Sequence, residues 1–294
     1  MRSDRPKPLH RLCGRPMVLH VIDALAEIEV GRAVVVVGHG AARVTKAVVD
    51  QAPEGLKVDF VEQAVQRGTG DAVLVALSAF PEDDDDGDML VIPGDTPLIR
   101  PPTLASLVRA HRADGAAATV LTAVIDNPTG YGRVARDRSG RVSRIVEERD
   151  ATDEERAINE INTSIYVFRR SVLAPAIRRL SPDNSQGEYY LTDVVAVLHD
   201  AGYPVVSVVA EDPMEAAGIN DRHQLAIAEA ELRDRINERW MRRGVTMVDP
   251  EATYVDSTVV LDRDVVLYPG THLQGQTVVE SGACLLYTSP SPRD

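Results

Sequence analysis

The sequence predicts an α/β protein in which a mostly parallel sheet flanked by helices is followed by a linking arm helix and the start of a left-handed parallel β-helix. Three observations carry this reading. Over about the first 210 residues, short apolar runs alternate with amphipathic stretches, the β-α-β order of a mainly parallel sheet with helices on both faces. From Asn220 to about Arg243 the chain is polar, with a thin apolar stripe of Leu225, Ala228, Leu232 and Ile236 that suits an arm joining two modules. Beyond it Val255, Leu261, Leu267, Leu273 and Val279 recur every six residues. That period fits neither a helix nor a plain strand, but it does fit a triangular parallel coil.

The elements follow in order. Pro16 to Val30 opens on a proline and carries Val18, Val21, Ile22, Leu25 and Ile28, a helical spacing. Ala33 to Gly38 is an all-apolar strand of the kind buried on both faces. A helix (Ala41 to Gln51), a strand (Lys57 to Val61), a helix (Thr69 to Ser78) and the strand Met89 to Ile92 come next. The acidic run Asp83 to Asp86 reads as a solvated turn. A helix from Pro102 to His111 leads to the strand Ala117 to Ala123. Two positions before each hexad residue stands a small or β-branched one, Thr253, Val259, Val265, Thr271 or Thr277. Residues 286–294, with two prolines in three residues, abandon the pattern and read as a foreign tail.

Composition narrows the function. Of 294 residues, 44% are hydrophobic but only 4% aromatic, so the core must rest on Val, Leu, Ile and Ala. A net charge of −13 argues against general affinity for nucleic-acid backbones or anionic membranes, while leaving room for a small anionic substrate held by local cations. Cys13 and Cys284 are too few for a disulfide framework. No apolar run approaches the roughly 18–20 residues of a membrane span, and the polar start lacks the apolar core of a signal peptide. A cytoplasmic protein is expected.

Ligands of parallel sheets sit beyond the carboxyl ends of the strands, which directs attention to the residues just after Val37, Val61, Ile92 and Ala123. Gln63-Ala-Val-Gln-Arg-Gly-Thr-Gly-Asp-Ala72 follows a strand and opens a helix. Its glycines allow close backbone approach, and the amide of Gln63 both donates and accepts, as reading a base edge requires. In Val91-Ile-Pro-Gly-Asp-Thr-Pro-Leu98 a strand stops and presents Asp95, either a turn-former or an oxygen ligand for Mg²⁺. Lys7 stands between two prolines on an extended stretch, a surface lysine or a point charge for phosphate. Gly130-Tyr-Gly-Arg133, Ile145-Val-Glu147, Glu160-Ile-Asn-Thr163 and Gly218-Ile-Asn220 place amides and a carboxylate beside apolar strands or at a helix start. Read singly, Asn220 is a helix N-cap and Glu147 a solvated strand end.

Taken in order, with Pro6-Lys-Pro-Leu-His10, Gly94-Asp-Thr-Pro-Leu-Ile99 and Gln186-Gly-Glu-Tyr-Tyr-Leu-Thr-Asp193 added, these segments resemble the bacterial bifunctional N-acetylglucosamine-1-phosphate uridyltransferase / glucosamine-1-phosphate N-acetyltransferase family. The resemblance runs from Met1 into the hexads. It implies a Rossmann-like nucleotidyltransferase domain over residues 1–219, an arm helix over 220–243 and an incomplete left-handed β-helix over 244–285. It also implies catalytic roles for Lys7 and Asp95, with Lys7 on the nucleotide phosphates. Gln63, Gly68 and Thr69 would hold the uracil, Pro93 and Gly94 would line the substrate site, and Gly132, Glu147 and Asn162 would hold the amino sugar. Asp95 and Asn220 would bind Mg²⁺. The implied reaction joins UTP to N-acetylglucosamine 1-phosphate, giving UDP-N-acetylglucosamine, a cell-wall and lipopolysaccharide precursor, and pyrophosphate. The complete family protein is a homotrimer.

Two departures set further expectations. Family members carry a strand and a glycine-rich phosphate loop just before the Met-x-Ser-Asp seen here at Met1 to Asp4, and their acetyl-CoA site lies beyond Ala283. Uridyltransferase activity below detection and no acetyltransferase activity are therefore expected of the chain as written. Pro93 stands where many relatives carry a polar residue. A different sugar-1-phosphate nucleotidyltransferase, or an inactive UDP-sugar-binding module, are the alternative readings.

Overall fold

The computed structural model describes residues 1–28, 30–80 and 87–286. The acidic run and all of the expected tail except Leu286 lie outside them. The chain divides into two compact units, Val21–Gly218 and a second made of Met1–His20 with Ile219–Asp294.

Within Val21–Gly218 the elements run β3 (Ala33–Val37), α2 (Ala41–Gln51), β4 (Val58–Glu62), α3 (Thr69–Leu77), β5 (Asp88–Val91), α4 (Pro101–Ala113) and β6 (Ala118–Val124). They continue with β7 (Arg133–Arg136), β8 (Val142–Val146), α5 (Asp153–Arg156), β9 (Glu160–Arg169), α6 (Arg170–Ile177), α7 (Asp193–Asp200) and β10 (Val205–Val209). The strand–helix alternation read from the sequence through Ala123 is present throughout, with ends shifted by at most two residues except in the first helix, which stops at Ala26, four residues before the expected Val30.

The expectation of a mostly parallel sheet needs refining. β3 and β4 are parallel, as are β10 and β6. β9, however, runs antiparallel to β5, β6 and β7, and β7 pairs antiparallel with β8. The sheet is therefore mixed, in the order β10-β6-β9-β7-β8 with β5 also on β9. The reason is the connection: after β6 the chain forms the β7–β8 hairpin instead of a long helical crossover, and only crossovers return a strand in parallel.

β9 is buried on both faces, which its apolar run requires. Tyr166 and Phe168 pack with Ala118, Val120, Leu173 and Val194, on the side of α6 and α7. The alternate residues Ile165 and Val167 pack with Leu104, Leu107 and Leu121, on the side of α4. Each such side chain contributes about 1.5–3 kcal/mol. The exposed start of α4 is capped from a distance: buried Glu215 accepts bonds from the Arg100 N–H and the Thr103 hydroxyl.

In the other unit β1 (Arg11–Leu12) and β2 (Arg15–Pro16) form a hairpin, so Pro16 belongs to a strand and α1 spans Met17–Ala26. Cys13 and Gly14 at its tip both have positive φ, 41° and 79°, as a two-residue primed turn demands. The Cys13 N–H donates to the Glu229 carboxylate at 2.9 Å, and its carbonyl accepts from Ser257 at 2.9 Å. α8 spans Arg222–Arg242 and is capped by Asp221, which accepts from the Gln224 N–H at 2.8 Å. Asn220 is thus not the N-cap; Asp221 holds that position because its side chain reaches the third helical N–H.

The hexads form strands of two residues: β11 (Thr246–Met247), β12 (Tyr254–Val255), β13 (Val260–Leu261), β14 (Val266–Leu267), β15 (His272–Leu273), β16 (Val278–Val279) and β17 (Cys284–Leu285). β12 pairs β15, β13 pairs β16 and β14 pairs β17, all in parallel. Val255↔Leu273 and Leu261↔Val279 are register partners three hexads apart, so one coil has three faces. Both predicted columns point inward: Val255, Leu261, Leu267, Leu273 and Val279 are buried, as are Thr253, Val259, Val265 and Thr271. Thr277 is half-buried. Ile236 and Trp240 of α8 close one side of this core.

Candidate functional site

The parallel pair β3–β4 ends, as the strand rule requires, at an open pocket of about 590 Å³ lined by Gly38, His39, Gly40 and Ala41 after β3 and by Glu62, the last residue of β4, with Gln63 to Gln66 after it. Gln63 is among the lining residues. Its Nε2 donates to the Gly68 carbonyl at 3.2 Å and to Asp71 at 2.8 Å, which uses both amide hydrogens and leaves Oε1 as the group for a ligand. His39, Gly40 and Gln66 were not singled out from the sequence. The signal was available, since Gly-His-Gly follows the four valines that end β3.

Gly68 and Thr69 have a visible structural task. Gly68 has φ 109° and ψ 177°, a conformation essentially confined to glycine. A Cβ there would lie 2.6 Å from the Tyr189 carbonyl oxygen. The Arg67 carbonyl accepts from the Tyr189 N–H and the Gly70 N–H donates back to Tyr189, both at 2.8 Å. The Thr69 hydroxyl accepts from the Leu191 N–H at 3.0 Å. The Gln186–Asp193 motif is therefore sewn to the start of α3.

Asp95 follows β5 on a turn closed by the Thr96 hydroxyl donating to the Pro93 carbonyl at 2.9 Å, with Gly94 between them. Its Oδ1 lies 3.9 Å from where a Cβ of Gly218 would stand. Burial, with the Asp95 charge added, raises the pKa of the Tyr131 hydroxyl.

Gly132, Glu147 and Asn162 come together. A Cβ on Gly132 would sit 3.5 Å from the Asn162 Cβ and 3.5 Å from a Glu147 oxygen, so glycine keeps open the space between an amide and a carboxylate. The Gly132 carbonyl accepts from the Asn162 N–H at 2.8 Å. Asn162 is aimed by a bulge: between Leu121 and Thr122 the β6 partners jump from Ile165 to Asn162, leaving Thr163 and Ser164 as extra residues on β9, Ser164 with φ 61°. The Asn162 amide then donates to the buried Tyr166 hydroxyl at 2.8 Å and accepts from the Ser164 N–H. Glu147 is half-buried rather than solvated. Burial raises its carboxyl pKa, the bond from the Thr192 hydroxyl (3.1 Å) opposes the rise, and Asp193 and Asp150 add to it. Arg133 of the Tyr-Gly-Arg segment is fully buried. It pairs with Glu148 at 2.7 Å and donates to the Tyr131 carbonyl, so it positions Gly132 from behind.

Lys7 lies in a single 3₁₀ turn, Lys7–Leu9, not on extended chain. Leu9 donates to the Pro6 carbonyl and His10 to that of Lys7. Lys7 Nζ donates to Asn220 Oδ1 at 2.7 Å, and the Asn220 N–H donates to Gln224 Oε1 at 2.6 Å. Two residues expected to serve phosphate and metal are thus in contact across 213 positions of sequence. Among the described residues no three His, Cys, Asp or Glu side chains form a metal cage. Mg²⁺ needs none, since it takes one or two protein oxygens and completes its shell with phosphate and water.

A model of the nucleotidyl transferase family matches residues 2–241. The chain belongs to that family. It is 47% identical over 285 residues to the bifunctional protein GlmU of Thermobifida fusca, covering 96% of this chain and 58% of the relative. It is 47% identical to GlmU of Brevibacillus brevis (95% and 59% covered) and 49% identical to that of Pelotomaculum thermopropionicum (92% and 58%). The chain thus spans about three fifths of the length of the curated relatives it matches. The crystal structure of HddC from Yersinia pseudotuberculosis shares the fold at a TM-score of 0.57 and 18% identity, covering 79% of this chain and 92% of that one. No helix among the described residues is long and apolar enough to cross a membrane.

Proposed function

We propose that this nucleotidyltransferase joins a uridylyl group from UTP to N-acetylglucosamine 1-phosphate, forming UDP-N-acetylglucosamine and releasing pyrophosphate. The observation that carries the reading is the space between Gly132, Glu147 and Asn162. It offers an amide and a carboxylate, the donors and acceptors that sugar hydroxyls and an N-acetyl group require. The similarity to bifunctional GlmU proteins supports the same substrates.

At the other end Gln63 lines the pocket beyond β3 and β4 with its Nε2 engaged by Gly68 and Asp71, so its Oε1 would serve as the acceptor for the N3–H of uracil. Gly68 and Thr69 hold the Gln186–Asp193 segment that backs this end. Pro93 and Gly94 shape the turn that offers Asp95. Asp95 and Asn220 would hold Mg²⁺, and the donor set fits: both offer hard oxygens, and the Asn220 oxygen already accommodates a cationic head group. Bound there, the metal would neutralise triphosphate charge. Lys7 is the nearby point charge for the phosphates. The sugar phosphate itself supplies the nucleophile, so positioning and charge are what the protein must provide. The protein is a candidate for the cytoplasm, and a complete family member would assemble as a trimer.

The test is pyrophosphate release from UTP in the presence of Mg²⁺ and N-acetylglucosamine 1-phosphate, measured on the chain extended before Met1 by a family-like strand and glycine-rich loop, paired with calorimetry on Asn162→Ala in the same extended chain. The substitution removes the amide proposed for the sugar and should weaken sugar-phosphate binding about tenfold or more while leaving UTP binding within about twofold. An equal loss for both ligands would refute the division of the site into base and sugar ends.

A further inference from the structure

The contact between Lys7 and Asn220 bears on how the metal enters. Lys7 Nζ sits 2.7 Å from Asn220 Oδ1, the atom proposed as a metal ligand for uridylyl transfer. The Asn220 backbone is held independently of Lys7, its N–H donating to Gln224 Oε1 and its carbonyl accepting from the Met1 ammonium, so losing the lysine contact does not release the main chain that carries the amide. Mg²⁺ binds such an oxygen at about 2.0–2.1 Å. An ammonium kept on the same oxygen would stand about 4 Å from the ion. Repulsion between a double and a single positive charge at that distance exceeds, even in water, what an exposed ion-dipole contact contributes. The amide oxygen has two lone pairs, but electrostatics does not let both cations use them.

We propose, on the basis of that metal assignment, that the Lys7 ammonium is a resident stand-in for the divalent cation at Asn220, exchanged for the metal on its arrival. Before the exchange it keeps the amide oxygen oriented and balanced. Afterwards its four-carbon stem, rooted on the 3₁₀ turn at Lys7–Leu9, releases the charge toward the anionic ligand that accompanies the metal. Lys7 thus acts on phosphate only once the metal is in place, which couples the order of the two events.

The sequence makes the exchange observable, because Lys7, Lys46 and Lys57 are the only lysines. With ¹³Cε-labelled lysine the protein gives three side-chain signals, and Lys7→Met identifies the one from Lys7. Titration with Mg²⁺ should move that signal toward the position it holds in Asn220→Ala, leaving Lys46 and Lys57 still. In parallel, Mn²⁺ binding followed by electron paramagnetic resonance without nucleotide should be about two- to fivefold tighter in Lys7→Met, a gain that Arg222→Met, which removes one positive charge without removing the contact, does not reproduce. Metal binding with an unmoved Lys7 signal, or an equal gain in Arg222→Met, would overturn the exchange and leave the metal assignment standing. Mn²⁺ binding that is undetectable, or unchanged in Asn220→Ala, would overturn both.

Discussion

Gly68→Ala separates structural support from direct ligand contact at the base end. The added Cβ meets the Tyr189 carbonyl oxygen at 2.6 Å and its nitrogen at 2.9 Å. Both are backbone atoms, so no side chain can swing aside. The conformation itself, φ 109° and ψ 177°, costs a non-glycine residue about 1–3 kcal/mol. Pushing Tyr189 away also sacrifices the bonds from Gly70 and to Arg67, each about 0.5–1.5 kcal/mol. The combined loss is about 2–6 kcal/mol, to be read from urea unfolding at constant m-value. Gly132→Ala is the contrast. Its φ is not positive and its nearest neighbour is the Ile145 methyl at 3.1 Å, so stability should change by less than about 1 kcal/mol while sugar-phosphate binding falls. If Gly68→Ala cost under about 0.5 kcal/mol yet abolished nucleotide binding, the clamp on Tyr189 would be the wrong explanation for this glycine.

Two further outcomes concern stability. Glu215→Ala strips the start of α4 of a buried acceptor for the Arg100 N–H and the Thr103 hydroxyl, and should lower stability by about 2–4 kcal/mol in a denaturant titration; a neutral result would mean water replaces the carboxylate. At α5 the bond from Arg144, then those from Thr152, holds the Glu155 carboxyl at about 2, below its ordinary 4.5. A depressed carboxyl stabilises the fold above the unfolded pKa, so the destabilisation caused by Glu155→Gln should be full near neutrality and shrink as pH falls from about 4.5 toward 2. A difference that stays constant over that window would sink the charge-based account.

The fold was legible where chemistry is local. Val34 to Val37 can only be a strand interior, and the inward columns of the coil follow from counting by six. Strand direction is another matter. Ile165-Tyr-Val-Phe168 presents the same apolar alternation read either way, so nothing local announces that β9 runs against its neighbours. The same limit applies to the site. A buried tyrosine needs a partner for its hydroxyl, but that the partner of Tyr166 is Asn162, or that Thr192 serves Glu147, depends on the bulge and on segments 45 residues apart. Residues as distant as Lys7 and Asn220 are linked in sequence only by family resemblance. The task of Gly68 was hidden for the opposite reason: a glycine after a strand reads equally well as room for a ligand and as room for Tyr189.

β9 has a consequence for how the proposed sugar and metal ends keep their distance. Its first residues pair with β6 and β7 and carry Asn162, while its last four pair with β5, the strand that runs on toward Asp95. One ribbon therefore works as a ruler between the two ends, with Thr163 and Ser164 as the graduation that can be moved. Deleting one of them would slide Asn162 relative to β5 by about 3.3 Å without touching a residue at either end. A chain built this way can be adapted to a longer or shorter acceptor by editing its backbone count, leaving the chemistry of both ends intact.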